Sequence, residues 1–222
     1  MKFCYHKDAG SETLCIQDQL FSHLYKVRRT NIKDQILFCN LQDEKLYAYK
    51  HEEITKKFAL LKLVSSQSYE SIKKNTHLIW AIINTKNIYS TLPYLNQLGV
   101  SKISFFYAER SQKNEKINLE KCHQILIQSC EQSGRNHLMK LEIFSSLNDI
   151  LNRYPKASMI HFDAEPLTRY HLPDFSNGVI IGPEGGFSIN EVNLYKNRIF
   201  SISSHILKSE CAAIALASLS II

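Results

Sequence analysis

The sequence Val-Ile-Ile-Gly-Pro-Glu-Gly-Gly at residues 179–186 carries the most information about the fold. Its three apolar residues predict a buried strand, and Ser188 with Glu191 three residues later forms a capping-box pattern that predicts a helix start. A glycine-rich turn between strand and helix is a ligand-binding position in α/β proteins, because main-chain N–H groups and the helix dipole converge there. Glu184 would repel phosphate, so the turn suits a ligand that is cationic or rich in hydrogen-bond donors. A tight turn with a helix cap is the alternative.

The sequence on both sides of this turn alternates between apolar runs and helical patterns. Continuous apolar runs predict strands covered on both faces, and apolar residues at helical spacing predict helices. Strands are predicted at 78–83, 103–107, 138–144, 159–162, 179–181 and 199–202. Helices are predicted at 88–98, 119–133, 147–154, 190–196 and from 209 onward, with Gly99 and Gly134 ending the first two. The alternation predicts a mostly parallel α/β sheet with helices on both faces.

The N-terminal part, up to about residue 63, lacks long helical periodicity. Short strands are predicted at 34–38, 45–49 and 58–64, separated by polar turns, which favours a small β-barrel or sandwich. The polar residues 65–75 are predicted to be a linker or the entry to the next domain. The predicted domains are therefore 1–70, a small β domain, and 71–222, an α/β domain.

The composition is that of an ordinary globular protein, with 44% hydrophobic and 22% charged residues among 222. The net charge of +6 is compatible with a nucleic-acid partner, although a protein that is merely basic is the simpler explanation. Six cysteines show neither C-x-x-C spacing nor a zinc-like cluster with histidine, which predicts no metal and reduced thiols in the cytoplasm. The start does not resemble a signal peptide, and the apolar run 211–222 is too short to span a membrane.

Several motifs occur together and in a characteristic order. They are Ile-Gly-Pro-Glu-Gly-Gly-Phe-Ser at 181–188, Ile-Leu-Lys-Ser-Glu-Cys-Ala-Ala at 206–213, Gln-Ser-Gly-Arg at 132–135, Leu-Gly-Val at 98–100 with Glu-Arg-Ser at 109–111, and a looser pattern from His23 to Asp34. This set resembles the ribosomal RNA small subunit methyltransferase E family, the 16S rRNA uridine-N3 methyltransferases of the SPOUT superfamily. The resemblance covers nearly the whole chain.

The resemblance implies a fold, a cofactor and partners. It implies a SPOUT-type parallel-sheet domain with a trefoil knot, preceded by a PUA-like β-barrel that helps to bind RNA. Knots are almost absent from proteins, so no hydrophobic pattern would predict this one. S-adenosylmethionine is the expected cofactor, without a metal. The expected partners are 16S rRNA in the small ribosomal subunit and a second copy of the chain, near its last helix.

The resemblance also implies three sets of site residues. The cofactor-binding set is Phe162, Ile181, Gly182, Pro183, Gly185, Gly186, Ile202, Leu207 and Ser209. The catalytic set is Glu184, Arg110 and Glu210, and the RNA-binding set is His23, Arg28, Arg29, Gln132, Arg135 and Lys208. Structural alternatives stay open: a loop carboxylate for Glu184, a helix cap for Glu210, and solvated surface charge for the basic residues.

Methylation of uracil nitrogen 3 makes two chemical demands. The methyl group must lie in line with the nitrogen, which is a positioning task. The N–H proton must also leave, and the resulting anion must be stabilised. Glu184 is expected to favour the sulfonium charge or to accept this proton, and Arg110 and Arg135 to stabilise the anion or to contact phosphate. The base must be unstacked or lie in a loop.

The chain departs from the family pattern at several positions, and two rival functions follow. The departures are Tyr94, Gln97, Ser203, Lys208, Ser209 and Cys211. Those at Tyr94, Gln97 and Ser203 motivate the hypothesis of an RNA-binding module that keeps the knotted domain but has lost catalysis. A small-molecule enzyme that binds a nucleotide at the glycine turn is the other rival, against which the absence of G-x-G-x-x-G and of a Walker lysine counts.

Overall fold

A computed structural model describes residues 2–68, 75–166, 172–195 and 198–221, whose contacts divide into two compact units. Residues 2–68 and Ile127–Leu138 belong to the first unit, and residues 75–126, 139–166, 172–195 and 198–221 belong to the second. The division into domains 1–70 and 71–222 stays a prediction. The compact units add one segment, Ile127–Leu138, that no sequence pattern had assigned to the N-terminal part.

The first unit is built on a curled five-stranded sheet that forms half of a barrel. Its strands are β1 Cys4–Tyr5, β2 Thr13–Gln17, β3 Ile36–Cys39, β4 Lys45–Ile54 and β5 Phe58–Ser68, in the order β1-β3-β4-β5-β2. The pair β1–β3 is parallel and the other pairs are antiparallel. The sequence predicted β3 to β5 but missed β1 and β2. It also ended β5 too early, since this strand continues through part of the predicted linker.

A short helical segment follows β2. The helix α1 Asp18–Phe21 continues into the π-helical turn Ser22–Val27. Phe21 and Leu24 are buried in the core of the sheet. Asp18 and Arg29 flank the segment in the left-handed region, with φ values of 53° and 52°. The segment is too short to produce a periodic signal, so no sequence pattern predicted it.

The second unit confirms the predicted parallel α/β architecture. Its strands are β6 His77–Ala81, β7 Lys102–Phe106, β8 Lys140–Phe144, β9 Ser158–Ile160, β10 Val179–Ile181 and β11 Ile199–Phe200. The helices that follow strands are α2 Thr85–Gln97, α3 Leu119–Ser133, α4 Leu147–Arg153, α5 Ile189–Asn193 and α6 Ser209–Leu219. All strand pairs are parallel, in the order β11-β9-β10-β6-β7-β8. The carboxyl ends of β9, β10 and β11 are therefore neighbours.

Helices cover both faces of this sheet. On one face, Ile79 and Ala81 belong to the same buried cluster as Leu147 and Ile150 of α4. Side chains alternate between faces along a strand, so Trp80 points to the other face, where its indole meets the first turn of α6. Every residue of β6 is buried, as expected for a central strand between two helical layers.

Two helices differ from the prediction at their ends. The helix α2 begins at Thr85, before the predicted start, because the Asn84 side chain accepts the main-chain N–H of Lys86 at 3.0 Å. It also continues past Pro93 to Gln97, so the proline does not end it. The helix α5 ends at Asn193 and not at residue 196, which lies outside the described residues.

A polar network, buried at His77 and Ser104, joins the amino ends of β6, β7 and β8. His77 Nε2 lies 2.8 Å from Ser104 Oγ, which donates to Glu142 Oε2 at 3.2 Å. Tyr154 donates to the same carboxylate oxygen at 2.7 Å, and Lys102 Nζ lies 2.9 Å from Glu142 Oε1. Burial, aided by the positive charge of Lys102, lowers the pKa of His77 to about 4. His77 is therefore neutral in the folded protein over most of the range in which an exposed histidine becomes charged.

This network predicts a loss of stability in mild acid. His77 takes up a proton near pH 6.5 in the unfolded chain but only near pH 4 in the folded protein. The unfolded state therefore binds more protons between these values, and the free energy of unfolding falls as the pH falls through them. The loss from this residue approaches about 3 kcal/mol.

Urea unfolding from about pH 7 to pH 4 tests this, with His77→Gln as the variant that cannot titrate there. The wild-type protein should lose stability more steeply than the variant over this range. Equal slopes for the two proteins would contradict the prediction.

Candidate functional site

A cavity of about 280 Å³ opens at the carboxyl ends of β9, β10 and β11. Three loops and the first turns of α6 line it. The loop after β9 contributes His161 and Phe162, the glycine turn after β10 contributes residues 182–187, and the segment after β11 contributes Ser201 to Ser203 and His205 to Leu207. All nine residues of the predicted cofactor-binding set line this cavity, together with Glu184. The fold therefore brings together residues that lie up to 47 positions apart in the sequence, from Phe162 to Ser209.

The glycine turn has a backbone that only small residues allow. The Gly186 N–H donates to the Pro183 carbonyl at 2.9 Å, and Gly186 has a φ of +68°. A methyl group added to Gly182 would lie 2.9 Å from the ring of Phe187, which is too close for a carbon contact. The helix α5 then begins with the predicted capping box between Ser188 and Glu191. Two of the three glycines are therefore required by packing or backbone conformation.

Arg110 is held against the glycine turn. Its Nη1 donates to the Gly185 carbonyl at 2.9 Å, and the rest of its guanidinium group is exposed. One of its five N–H donors is used in this contact. The arrangement fixes a positive charge beside the turn that carries Glu184, although Arg110 does not line the cavity.

Glu191 fixes the loop that carries Arg110, a role that the sequence did not indicate. Its side chain is only 3% exposed. Oε2 accepts the Ser188 N–H at 2.9 Å, which completes the cap, while Oε1 accepts the Glu109 N–H at 3.0 Å. One buried carboxylate therefore ties the loop after β7 to the start of α5. The capping-box motif revealed the first bond, but no sequence pattern points to the second.

The two candidate catalytic carboxylates differ in their surroundings. Glu184 is exposed at the cavity, and its Oε1 lies 3.5 Å from the Asn87 side-chain amide. Glu210 is half-buried in the first turn of α6 and does not line the cavity. Its Oε2 is buried and has no hydrogen-bond partner among the described residues. The structure thus places Glu184 at the cavity and Glu210 beside it on the helix.

The rim of the cavity is aromatic and apolar. The Phe162 ring stacks on His161 with centroids 4.8 Å apart, and Phe162 is 55% exposed. Ile206, on the loop before α6, is 78% exposed. The Ser201 hydroxyl donates to the Ser203 carbonyl at 2.9 Å and accepts the Ser203 N–H at 3.4 Å, which shapes this loop. The cavity can therefore accept a flat apolar group beside polar loop groups.

The first unit brings together most of the RNA-binding set. Arg28 donates to Cys4 Sγ at 3.5 Å, and the Tyr5 N–H donates to Glu131 Oε1 at 2.8 Å. Burial raises the pKa of Glu131, and the nearby charges of His23 and Arg28 partly offset this rise. The π-helical segment therefore lies close to the end of α3. The Gln-Ser-Gly-Arg motif begins there at Gln132, the residue after Glu131.

The remaining members of the RNA-binding set have different settings. Arg29 and Gln132 are exposed. Arg135 is only partly exposed, its Nε donates to the His137 carbonyl at 3.1 Å, and burial lowers its pKa. This setting suits a role in holding the loop better than a contact with phosphate. Lys208 is exposed in the second unit, immediately before α6.

Neither a metal-binding cluster nor a membrane-spanning helix is present within residues 2–68, 75–166, 172–195 and 198–221. In these ranges there is no group of three or more histidine, cysteine or acidic side chains placed to hold a metal ion. The helices in the same ranges include none that is long and apolar enough to cross a membrane.

Comparisons with known proteins agree with this geometry. Residues 69–221 match the family model of an RNA methyltransferase domain, and residues 16–64 match that of an RNA methyltransferase PUA domain. A relative from Helicobacter pylori, ribosomal RNA small subunit methyltransferase E, is 49% identical over 99% of each chain.

Two solved structures resemble the whole chain. One is a candidate methyltransferase from Legionella pneumophila in complex with its bound cofactor S-adenosylmethionine. It has a TM-score of 0.80 and 25% identity over 99% of this chain and 96% of that one. The other is a ribosomal RNA small subunit methyltransferase E from Neisseria gonorrhoeae bound to S-adenosylmethionine, with a TM-score of 0.82 and 23% identity over 98% and 95%.

The double contact of Glu191 predicts a measurable effect of Glu191→Gln. Glutamine keeps the size of the side chain, but its NH₂ group cannot accept a hydrogen bond, so one main-chain N–H loses its partner. We expect the free energy of unfolding to fall by about 1–3 kcal/mol in urea titrations. Glu109→Gln is the matched control, because it removes the same charge from an exposed neighbour. Equal stabilities for the two variants would contradict the prediction.

Proposed function

The chain belongs to the ribosomal RNA small subunit methyltransferase E family, and we propose that it methylates nitrogen 3 of a uridine in 16S rRNA with S-adenosylmethionine as methyl donor. The observation that carries the proposal is the cavity, because three loops and α6 bring the whole predicted cofactor set to one place. We further propose that the protein acts as a homodimer in the cytoplasm, on RNA in the small ribosomal subunit.

The residues of the cavity fit S-adenosylmethionine by their chemistry. Ile181, Ile202 and Leu207 offer apolar walls, and the glycine turn lets the main chain approach a ligand. The Glu184 carboxylate supplies a negative charge at the same cavity. When bound there, S-adenosylmethionine would supply a methyl group on a positively charged sulfur. An acidic side chain and carbonyl groups suit such a cation, whereas they would disfavour a phosphate.

Glu184 and Arg110 can perform the two remaining chemical tasks, which are to remove the uracil proton and to stabilise the resulting anion. The uracil N–H has to lose its proton, and the exposed Glu184 carboxylate is free of any ion pair closer than 4.0 Å among the described residues. A positioned carboxylate can accept that proton. The Arg110 guanidinium, fixed on the Gly185 carbonyl, keeps donors for the negative charge that develops on the base. Both residues are exposed, so a base displaced from its stack can reach them.

The π-helical segment of the first unit supports a contact with RNA. Lys26, Arg28, Arg29 and Lys33 are exposed within eight residues of each other. Backbone conformations such as the left-handed Arg29 are costly for residues other than glycine and concentrate at functional sites. Exposed lysine and arginine side chains suit the phosphate backbone, which dominates the affinity of protein–RNA contacts.

Transfer of labelled methyl from S-adenosylmethionine to small ribosomal subunits that lack this protein's modification tests the proposal. Nucleoside analysis of the product should place the label in 3-methyluridine. A label in another nucleoside would contradict the proposed position. Binding of S-adenosylmethionine without any label would favour the alternative function, an RNA-binding module without catalysis.

The same assay predicts the effect of Glu184→Gln. If Glu184 accepts the proton, the variant should lower kcat by about 10²–10⁴ while the KM for S-adenosylmethionine changes little. A raised KM with an unchanged kcat would instead assign the carboxylate to binding of the cofactor's positive charge. Asn87→Ala serves as a control, because it removes the neighbour of Glu184 without removing the carboxylate.

Arg29→Ala should weaken RNA binding and leave S-adenosylmethionine binding unchanged. Loss of one phosphate contact lowers the dependence of log K on log salt by about one unit. The measurement is a salt series of RNA affinities. Lys57→Ala is the matched control, since it removes one exposed positive charge from the turn between β4 and β5. An equal effect of the two variants would indicate nonspecific attraction by the net charge.

A further inference from the structure

The Ser209 hydroxyl connects a buried tryptophan to the glycine turn. Ser209 Oγ donates to the Gly182 carbonyl at 2.6 Å and accepts the Trp80 Nε1–H at 2.8 Å. The indole N–H can only donate and the carbonyl can only accept, so the direction of both bonds is fixed. Ser209 is 5% exposed and Trp80 is fully buried. The hydroxyl therefore has no proton left for a ligand in the cavity.

The peptide unit between Gly182 and Pro183 depends on this contact. Proline has no main-chain N–H, so the Gly182 carbonyl is the one strong hydrogen-bonding group of that peptide unit. Its glycine side has no Cβ to restrict the backbone. Among the described residues, the Ser209 hydroxyl donates a hydrogen bond to this carbonyl. The orientation of the Gly182–Pro183 peptide unit is thus set by the Ser209 hydroxyl group.

Trp80 in turn fixes the Ser209 hydroxyl. It lies on the central strand β6, opposite Ile181 in the register with β10, and its ring packs against Phe105 with centroids 6.1 Å apart. A rotation of Ser209 away from Trp80 would leave the indole N–H buried without a hydrogen-bond partner, which is unfavourable. The core of the sheet therefore holds the hydroxyl in the rotamer that meets Gly182.

We propose that Trp80 and Ser209 are positioning residues for the methyl-donor cavity, acting through the Gly182 carbonyl. This inference rests on the proposed function. It changes the role of Ser209 from a direct cofactor contact, which the family resemblance implied, to a support of the glycine turn. It also adds Trp80, a residue that no motif contains. The hydroxyl at position 209 matters more than the identity of the side chain that carries it.

The test is the affinity for S-adenosylmethionine, measured by calorimetry on the full chain. Ser209→Ala should weaken binding by about tenfold, which corresponds to the loss of a buried hydrogen bond. Ser209→Thr keeps the hydroxyl and should restore the affinity to within about threefold. Trp80→Phe should weaken binding as well, although its own atoms do not line the cavity. This variant also carries the test if Ser209→Ala does not fold.

Two further variants distinguish a positioning role of Trp80 and Ser209 from a role in packing alone. Phe105→Leu disturbs the packing of Trp80 but leaves both hydrogen bonds, so it should lower stability without changing the affinity. The double variant Trp80→Phe/Ser209→Ala should bind S-adenosylmethionine no more weakly than Ser209→Ala, because Trp80 acts through the Ser209 hydroxyl. Additive losses of affinity would show that they act independently and would overturn the inference.

Trp80 also provides a spectroscopic signal, because it is the single tryptophan of the chain. Saturation with S-adenosylmethionine should change its emission in the wild-type protein, and this change should be lost in Ser209→Ala. Unchanged affinity in both Ser209→Ala and Trp80→Phe would overturn the inference and leave the proposed function standing. A wild-type protein that does not bind S-adenosylmethionine would overturn the proposed function and this inference with it.

Discussion

Two carbonyls of the glycine turn, those of Gly182 and Gly185, are hydrogen-bonded by groups outside the turn, and the rest of the cavity depends on this constraint. An open turn that faces a cavity has little local structure to satisfy its main chain. Ser209 on α6 supplies the donor for Gly182, and Arg110 after β7 supplies the donor for Gly185. Both donors come from other parts of the chain. The turn therefore takes its shape only when the sheet and its helices have assembled.

The strand order brings these donors to the turn, and it is the part of the fold that the sequence could not supply. Apolar runs and helical periodicity predicted nearly every element of the second unit, because buried parallel strands and amphipathic helices have distinct patterns. The order β11-β9-β10-β6 depends on which strands pair over long distances. No local pattern encodes such pairing, and the knot that the family resemblance implies is equally invisible to periodicity.

The site was predictable where a motif and its chemistry coincide. The glycine turn was found from its composition, and the lining residues followed from the resemblance. The supporting contacts were not found. Glu191 had an adequate explanation as a helix cap, so nothing suggested its bond to the Glu109 N–H. The segment Ile127–Leu138 continues a helix that begins at Leu119, so periodicity gave no reason to place it with Phe3 and Cys39 in the first unit.

The amino and carboxyl ends of the strands in the parallel sheet have different roles. At the amino ends, His77, Ser104, Glu142, Tyr154 and Lys102 form a closed network in which each polar group meets another. A satisfied polar network of this kind holds neighbouring strands in one register, because a shift would leave several polar groups unpaired. At the carboxyl ends, the loops keep polar groups directed at a cavity. The network at the amino ends can thus fix the strand register on which the loops at the carboxyl ends depend. A change of register at β6 would move Trp80 away from Ser209.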